Sequence, residues 1–450
     1  MLKNIISTLS PAHIIFFSFF LLTLLGTLLL ALPLSRSMPL STIDLIFTAT
    51  SATCVTGLFT VPLSSFTLFG KCIIMLLIQL GALGLASMTL LIVSFFMNIS
   101  LGTRFIAGQL LELNSWNSIK STLQFTLIFT LVLEAIGACY FFSLFYTQYS
   151  AGYALFYALF HSISSFSNAG ISFLHFFTEQ NLGRYSTDNM FLLVTTALAF
   201  CGGLGFITWH EIFLYLRGDR YHKQYHLSLT SKIVLYTTAI LIMVTFIAFF
   251  LIEYNNTLKH LPLPIALLDS LFHAVSLRSS GFILPNINEF SQATLFFMIV
   301  IGFIGSSSGS TGSGIKITTF ALICAVIKST VNGSCNIELF EREIPQDQIY
   351  KAITIVVLSI CWILIITFCL LITESTWTFF DIFFETVSGF SNVGFSLKGS
   401  QNLSYIGKIL MSITMFVGRI GTLTFILGLK YKTKRDTAEF FYPQERVMLG

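Results

Sequence analysis

Four short stretches of this chain end in glycine, and their backbone carbonyl groups are suited to binding a cation. They are Cys54-Val55-Thr56-Gly57, Ser167-Asn168-Ala169-Gly170, Arg278-Ser279-Ser280-Gly281 and Ser391-Asn392-Val393-Gly394. Glycine adopts backbone dihedral angles that other residues avoid, so it lets successive carbonyl groups point at one ion and replace its hydration shell. One such stretch is usually an ordinary turn, but four in register predict an ion filter.

A related segment precedes each glycine. The four segments are Asp44-x-x-Phe47-x-x-x-Ser51, Tyr157-x-x-Phe160-x-x-x-Ser164, Asp269-x-x-Phe272-x-x-x-Ser276 and Asp381-x-x-Phe384-x-x-x-Ser388. The glycines that follow them are 113, 111 and 113 residues apart. The chain is therefore a fourfold internal repeat. Its predicted boundaries give repeat one (1–110), repeat two (111–225), repeat three (226–340) and repeat four with a C-terminal tail (341–450).

The composition is that of a membrane protein. Of the 450 residues, 55% are hydrophobic and 10% are charged, and the mean hydropathy is +0.84. This is more apolar side chain than a soluble domain can bury. Two apolar segments per repeat are long enough to cross a hydrocarbon core of about 30 Å as helices. The eight segments lie near 12–33, 70–97, 118–147, 188–216, 230–253, 293–328, 350–373 and 404–430.

Each repeat also holds a shorter, semi-apolar segment before its glycine. Because it is too short to cross the membrane, we expect it to enter and leave on the same side, with its irregular backbone lining a cavity or packed in protein. Asp44, Asp269 and Asp381 open three of these segments and suit a helix N-terminus, so the opposite ends favour cations. The predicted fold class is all-α and polytopic, with eight transmembrane helices and four re-entrant pore helices around one central pore.

Basic residues predict the orientation in the membrane. Two clusters stand out, Arg217, Arg220, Lys223 and Lys232 between repeats two and three, and Lys430, Lys432, Lys434 and Arg435 after the last span. Because Lys and Arg favour cytoplasmic loops, both termini are expected inside the cell and the pore loops outside. The net charge of only +4 argues against a nucleic-acid partner. The eight cysteines lack metal-ligand spacing and predict neither disulfides nor a zinc site.

Glycines recur in the second span of each repeat, first at Gly81, Gly202, Gly305 and Gly418. We expect these glycines at similar depth, below the filter, where they permit bends and close helix contacts. Repeat two carries an insertion of about eight residues around 177–188, because its second-span glycine follows its loop glycine by 32 residues instead of 24.

Two departures from this pattern are informative. In repeat three, ten consecutive residues are only glycine, serine or threonine: Gly305, Ser306, Ser307, Ser308, Gly309, Ser310, Thr311, Gly312, Ser313 and Gly314. Such a tract cannot hold a helix against lipid, so it is expected as a loop between the half-helices 294–304 and 315–327. In repeat four, Arg419 lies at the same level, and a charge inside a span indicates a functional site.

With these motifs in place, the whole chain resembles the Trk/Ktr/HKT superfamily of potassium transporters. In that family four linked span–loop–span units surround one pore. The first span starts near residue 12 with no additional helix pair ahead of it, so the chain looks most like the KtrB type of membrane subunit. The terminal sequence from Tyr442 to Gly450 is similar to the KtrB terminus as well.

The resemblance implies potassium uptake and the residues that perform it. Backbone carbonyls would line the filter, with potassium bound at Val55, Thr56, Gly57, Asn168, Ala169, Gly170, Ser279, Ser280, Gly281, Asn392, Val393 and Gly394. The tract 305–314 would be an intramembrane gating loop, with Arg419 beside it. Gly57 favours potassium, because relatives with serine there tend to pass sodium. The resemblance also implies a homodimer in the cell membrane on a cytosolic, nucleotide-binding ring of the KtrA type.

Other classes are weighed against this interpretation. Gly305 to Gly309 matches the serine-hydrolase motif but follows an apolar helix instead of a strand, so a protease centred on Ser307 is the weakest alternative. A cation transporter of other selectivity, passing sodium, stays open, as does sodium as a coupling ion. Voltage-gated channels need an arginine-rich helix, which is missing from the sequence. No covalently bound cofactor is predicted, and His161 and His273 are expected as packing residues. Glu134 and Glu385 lie within apolar segments, where a hydrogen-bonded structural role competes with a place on an ion route.

Overall fold

The computed structural model describes residues 11–84, 116–171, 188–218, 226–278, 280–282, 284, 287–334 and 336–429. Several predictions from the sequence concern residues outside these ranges. They are the filter residue Ser279, most of the insertion around 177–188, the basic residues Arg220, Lys223, Lys430, Lys432, Lys434 and Arg435, both termini, and the terminal sequence 442–450. The repeat boundary at 110 also lies outside the described residues.

The described chain is mostly helical, with almost no sheet, and shows one order of elements four times, here called units one to four. Each unit has a long helix, a short helix, a glycine loop and a second helix. Unit one comprises α1 (Pro11–Ala31), α2 (Thr42–Cys54) and α3 (Leu68–Leu83). Unit two comprises α4 (Trp116–Phe145), α5 (Ala151–Ser167), α6 (Asn189–Gly203) and α7 (Phe206–Arg217).

The same order continues in the second half of the chain. Unit three comprises α8 (Leu229–Glu253), α9 (Leu263–Ser276), α10 (Gln292–Phe303) and α11 (Ile317–Val331). A two-stranded antiparallel hairpin follows, with β1 (Glu338–Leu339) and β2 (Arg342–Glu343). Unit four comprises α12 (Gln346–Thr373), α13 (Phe379–Ser391), α14 (Tyr405–Ile420) and α15 (Thr422–Leu429).

Within the described residues, four helices are long and apolar enough to cross a membrane. They are α1, α4, α8 and α12, the first helix of each unit. Counting two strongly bent pairs as one span each raises the number to six. In unit one the chain after Gly84 lies outside the described residues, and in unit three the second helix is divided at the Gly/Ser/Thr tract. The eight predicted spans therefore remain a prediction.

Glycines with positive φ lie at the ends of the second helices of units one, two and four. Helices α6 and α7 meet at 97°, and α14 and α15 meet at 102°. Gly205 (φ 97°) and Gly421 (φ 92°) stand at these two breaks, and Gly84 (φ 73°) follows α3. These positive φ angles are open to glycine at little cost and interrupt the helical hydrogen bonds. The sequence predicted bends at these glycine-rich positions, but bends beyond a right angle were not foreseen.

The four units pack in a closed ring. The second helix of each unit packs on the short helix of the next, with α3 on α5, α6 on α9, α10 on α13 and α14 on α2. The hydrophobic core is accordingly divided into clusters at the junctions. One cluster joins Leu45 and Ile74 of unit one to Phe160 of unit two. Another joins Phe47 of unit one to Met415 of unit four. The buried apolar surface thus holds neighbouring units together.

The short helices begin with acidic residues in two units. Asp44 and Asp381 lie in the first turns of α2 and α13, as predicted. The prediction for Asp269 was wrong, because Asp269 is the seventh residue of α9 and binds the ring of His273. Prolines explain the difference: Pro262 caps α9, and a second proline in its first turn starts the helix early.

Candidate functional site

The glycine loops begin with an unusual backbone conformation. Val55, Asn168 and Asn392 cap α2, α5 and α13, and all three are left-handed, with φ of 60°, 60° and 52°. Asparagine tolerates this conformation, whereas a β-branched valine adopts it only when the surrounding structure imposes it. Each of these residues lies two positions before its glycine. The turn into the loop is therefore shared by three units.

The serine of the repeated motif holds this turn in place. The carbonyl oxygens of Ser51, Ser164 and Ser388 accept bonds from the N–H groups of the residues five positions later, at 2.8–2.9 Å. Two of the hydroxyls also reach the loop. Ser51 Oγ accepts from Gly57 N at 3.2 Å, and Ser164 Oγ accepts from Ile171 N at 2.9 Å. The spacing of six residues from serine to glycine, repeated in units one, two and four, thus reflects a cap that orients the loop.

The four loop glycines lie against one another in the order of the units. A Cβ atom built on Gly57 would lie 2.5 Å from the carbonyl oxygen of Ala169, and one on Gly281 would lie 3.0 Å from that of Val393. Gly170 faces the backbone of Gly281 in the same way, and Gly394 faces the carbonyl oxygen of Thr56. The glycines thus form a closed ring in which side chains would meet neighbouring carbonyl groups.

The predicted tract 305–314 is a loop, flanked by helices close to the expected half-helices. Backbone bonds close its base, from Gly305 N to the Ile315 oxygen at 3.0 Å and from Ile315 N to the Phe303 oxygen at 3.3 Å. Its polar side chains at Ser306, Ser307, Thr311 and Ser313 are buried, and Gly309 at its tip is exposed. The loop therefore packs inside the protein, as such a backbone requires in a membrane.

Unit two holds one side of this loop. Ser307 Oγ donates to the Leu204 oxygen at 2.5 Å, and Thr311 N donates to the Gly202 oxygen at 3.2 Å. From the other direction, Phe206 N donates to the Gly309 oxygen at 2.9 Å. These bonds use the backbone groups that the break between α6 and α7 leaves without helical partners.

Arg419 joins the loop to units four and one. Its Nη1 atom donates to the Thr311 oxygen, and its Nη2 atom donates to the Gly81 oxygen at 2.5 Å and to the Ala82 oxygen at 3.2 Å. The sequence predicted Arg419 near the loop but did not predict its bonds to the end of α3. The guanidinium group therefore satisfies carbonyl groups at a helix end and in the loop together.

Lys316 is a second cation at the loop, and it was not among the predicted site residues. Its Nζ atom donates to the Gly312 oxygen at 2.8 Å. None of the ion pairs found in the described ranges includes Lys316 or Arg419. A lysine two residues after a glycine-rich tract in an apolar span was the signal that could have identified it.

Glycines also bring the second helices close to the short helices. A Cβ atom on Gly81, Gly202 or Gly418 would overlap the carbonyl oxygen of Thr53, Phe166 or Phe390, respectively. The predicted counterpart in unit three was Gly305. In the structure Gly302 takes this position. A Cβ atom built on Gly302 would lie 4.0 Å from the Leu277 oxygen. Gly305 instead packs against the other end of its own loop.

The remaining polar residues of interest have local partners. His161 Nε2 lies 3.4 Å from Thr195 Oγ1, and the Glu134 carboxylate accepts from Gln79 Nε2 at 3.0 Å. Glu385 accepts from the Ser400 hydroxyl. Ser307 binds backbone carbonyl groups rather than a histidine. In the described part of the chain no three His, Cys, Asp or Glu side chains are grouped to hold a metal ion.

Four linked helical units, closed into a ring around four glycine loops, define a polytopic membrane transport protein. A family model described as TrkH, cation transport protein, matches residues 10–438. The chain therefore belongs to the TrkH family of cation transport proteins, which confirms the resemblance found in the sequence. The family consists of transporters and not enzymes, so the protease alternative is excluded.

Individual relatives cover the whole chain. It is 35% identical to the Ktr system potassium uptake protein B of Bacillus subtilis, over 98% of this chain and 97% of the relative. It is 33% identical to the potassium/sodium uptake protein NtpJ of Enterococcus hirae, over 100% and 99%. The crystal structure of the potassium transporter TrkH from Vibrio parahaemolyticus has the same fold, with a TM-score of 0.70 at 18% identity over 93% of this chain and 84% of that one.

Proposed function

We propose that this protein takes up potassium across the cytoplasmic membrane through one central pore. The observation that carries the proposal is the closed ring of Gly57, Gly170, Gly281 and Gly394, each beside the backbone of the next unit. The relatives named above support the choice of substrate, since one is a potassium uptake protein and another a potassium/sodium uptake protein.

The carbonyl groups of the glycine loops form the filter. Potassium sheds its hydration shell there and is bound by oxygens of the residues at and just before each glycine, namely 55–57, 168–170, 279–281 and 392–394. The short helices support this role, because α2, α5 and α13 end at these loops and the negative ends of helices favour cations. The filter belongs to four repeats with boundaries near residues 110, 225 and 340.

The tract 305–314 is the gate of the pore. Its packing against Gly202 and Leu204 of unit two and Arg419 of unit four supports this role, because a loop with so many partners can exchange one set for another. Without a helix of its own, the loop changes arrangement at small cost. Lys316 and Arg419 place positive charge beside it and oppose resting cations.

A cytosolic ring that binds a nucleotide controls the gate, and the membrane subunit works as a homodimer. The helix after the loop, α11, leads to the hairpin Glu338–Glu343, so movement of α11 transmits a signal from a partner to the loop. Both termini lie in the cytoplasm in this proposal. Sodium serves as a coupling ion or as a second permeant ion.

Growth rescue tests the proposal. A bacterium that lacks potassium uptake is supplied with this chain, with and without a co-expressed ring subunit of the KtrA type, and grown at low potassium. We expect growth that is stronger with the ring. Growth that fails in both cases, with the protein present in the membrane, refutes potassium uptake. Rescue of a sodium-dependent phenotype instead supports the sodium alternative.

A further inference from the structure

Two asparagine side chains connect the filter loops to the loop 305–314. Asn168 and Asn392 occupy the same position in units two and four, two residues before the glycine. Asn168 Nδ2 donates to Thr311 Oγ1 at 2.8 Å, and Asn392 Nδ2 donates to Ser313 Oγ at 2.8 Å. Both asparagines are buried, with exposures of 3% and 0%. The two filter loops thus contact the loop 305–314 through equivalent atoms.

The amide of Asn392 is engaged on both of its ends. Its Nδ2 atom also donates to the Cys54 oxygen at 2.9 Å, and its Oδ1 atom accepts from Thr56 Oγ1 at 3.0 Å. A backbone carbonyl only accepts, so the Cys54 contact fixes which end of the amide carries the hydrogens. Asn392 therefore joins the filter loops of units four and one to Ser313.

The hydroxyl of Thr311 continues the connection on the other side. It accepts from Asn168 and donates to the Phe166 oxygen at 3.4 Å. Thr311 is also the residue whose carbonyl group binds Arg419. Unit one has Val55 at the position of the asparagines, where no amide is available. The two amides belong to units two and four, which both neighbour unit three in the ring of units. The loop of unit three therefore bridges them.

We propose that Asn168 and Asn392 are positioning residues that couple the conformation of the filter to that of the gating loop. The inference deepens the proposed function and rests on it. When the loop moves, each amide loses the hydroxyl that accepts one of its two hydrogens, and a buried N–H group without an acceptor is unfavourable. The left-handed residue then reorients, and with it the carbonyl groups before the glycine.

This coupling works in both directions. If the loop position changes the affinity of the filter for an ion, then an ion in the filter changes the loop position by the same factor. Ion discrimination therefore depends on residues of the loop that do not touch the ion. A loop that acts only as a steric plug changes the rate of uptake and leaves discrimination between ions as it is.

Double-mutant cycles with ion competition test the proposal. Uptake of potassium is measured against sodium for Asn392→Ala, Ser313→Ala and their combination, and for Asn168→Ala, Thr311→Val and their combination. We expect each loop variant to change the ratio by about threefold or more, the size of coupling between hydrogen-bonded neighbours. In each matched combination, the uptake ratio should change no more than in the stronger single variant. In the crossed pair Asn168→Ala with Ser313→Ala, the two single changes in the ratio should multiply.

The loop variants keep the test decisive if the asparagine variants fail to fold. Ser306→Ala serves as a comparator, since the Ser306 hydroxyl binds Ser310 within the loop and neither asparagine. If Ser313→Ala and Thr311→Val change uptake rates but leave the ion ratio equal to that of Ser306→Ala, the coupling is refuted. The coupling is also refuted if the changes in the ion ratio multiply in the matched pairs as they do in the crossed pair. A parent chain without cation uptake refutes the proposed function instead.

Discussion

The guanidinium group of Arg419 binds the carbonyl oxygen of Thr311, 108 residues earlier in the chain. The same side chain binds the Gly81 oxygen at 2.5 Å, so one residue joins units one, three and four. Three of its four acceptors are backbone oxygens, and the fourth is the Ser313 hydroxyl at 3.4 Å. In the proposed function, a fixed charge in this position holds the loop and opposes a cation beneath the filter.

Arg419→Ala is expected to raise basal uptake, measured without the cytosolic ring subunit, on the order of tenfold. The loop loses hydrogen bonds to a charged group, which contribute about 1.5–3 kcal/mol each, and the pore loses a positive charge. Arg419→Lys should restore little, since one ammonium cannot reproduce a fork that reaches two sites. Arg342→Ala, at the exposed hairpin, is the matched control. Uptake by Arg419→Ala equal to that of this control contradicts a gating role.

Lys316→Met is expected to raise basal uptake in the same direction as Arg419→Ala. Methionine retains the length of the side chain but removes the charge and the bond to the Gly312 oxygen. Tracer uptake into vesicles without the ring measures the effect, normalised to the amount of protein inserted. A decrease in uptake would show that Lys316 holds the open arrangement of the loop instead.

Gly57→Ser is expected to raise sodium permeation relative to potassium. The new side chain begins 2.5 Å from the Ala169 oxygen, on a residue with φ of 93°, so the carbonyl ring has to shift. Competition between the two ions in uptake assays provides the measurement. Gly152→Ser is the matched control, because a Cβ atom there meets nothing within 4 Å. Unchanged ion competition with Gly57→Ser counts against the filter assignment.

Removal of Ser308, Gly309 and Ser310 is expected to raise basal flux and to weaken the dependence on the nucleotide state of the ring. The deletion retains the closed base at Gly305 and Ile315 but removes the bond from Phe206 N to the Gly309 oxygen. Flux is measured in proteoliposomes with each nucleotide. If the shortened protein inserts normally and responds as the parent does, the gate lies elsewhere.

Gly418→Ala is expected to destabilise the fold by about 1–3 kcal/mol, the usual cost of overpacking. The added methyl group overlaps the Phe390 oxygen, which belongs to the backbone of helix α13. Thermal unfolding in detergent measures the change, and Gly152→Ala provides the control. A melting temperature equal to that of the control would show that α13 and α14 accommodate the methyl group without a loss of stability.

The local features of this protein could be predicted from its sequence. The glycine loops, the short helices before them and the interruption at 305–314 depend on the conformational freedom of glycine and on the length of apolar runs, and both are properties of a few neighbouring residues. The family resemblance also followed from motifs. Asp269 was the local exception, because two prolines moved the start of α9.

Only the tertiary structure decided which residues meet. The ring of units, the position of Gly302 in place of Gly305, and the bonds from Asn168 and Asn392 to a loop 143 and 79 residues away depend on packing between distant segments. The bends of 97° and 102° likewise need partners for the backbone groups that they expose. Sequence patterns encode where a helix can break, whereas the surrounding units determine how far it turns and what its free carbonyl groups bind.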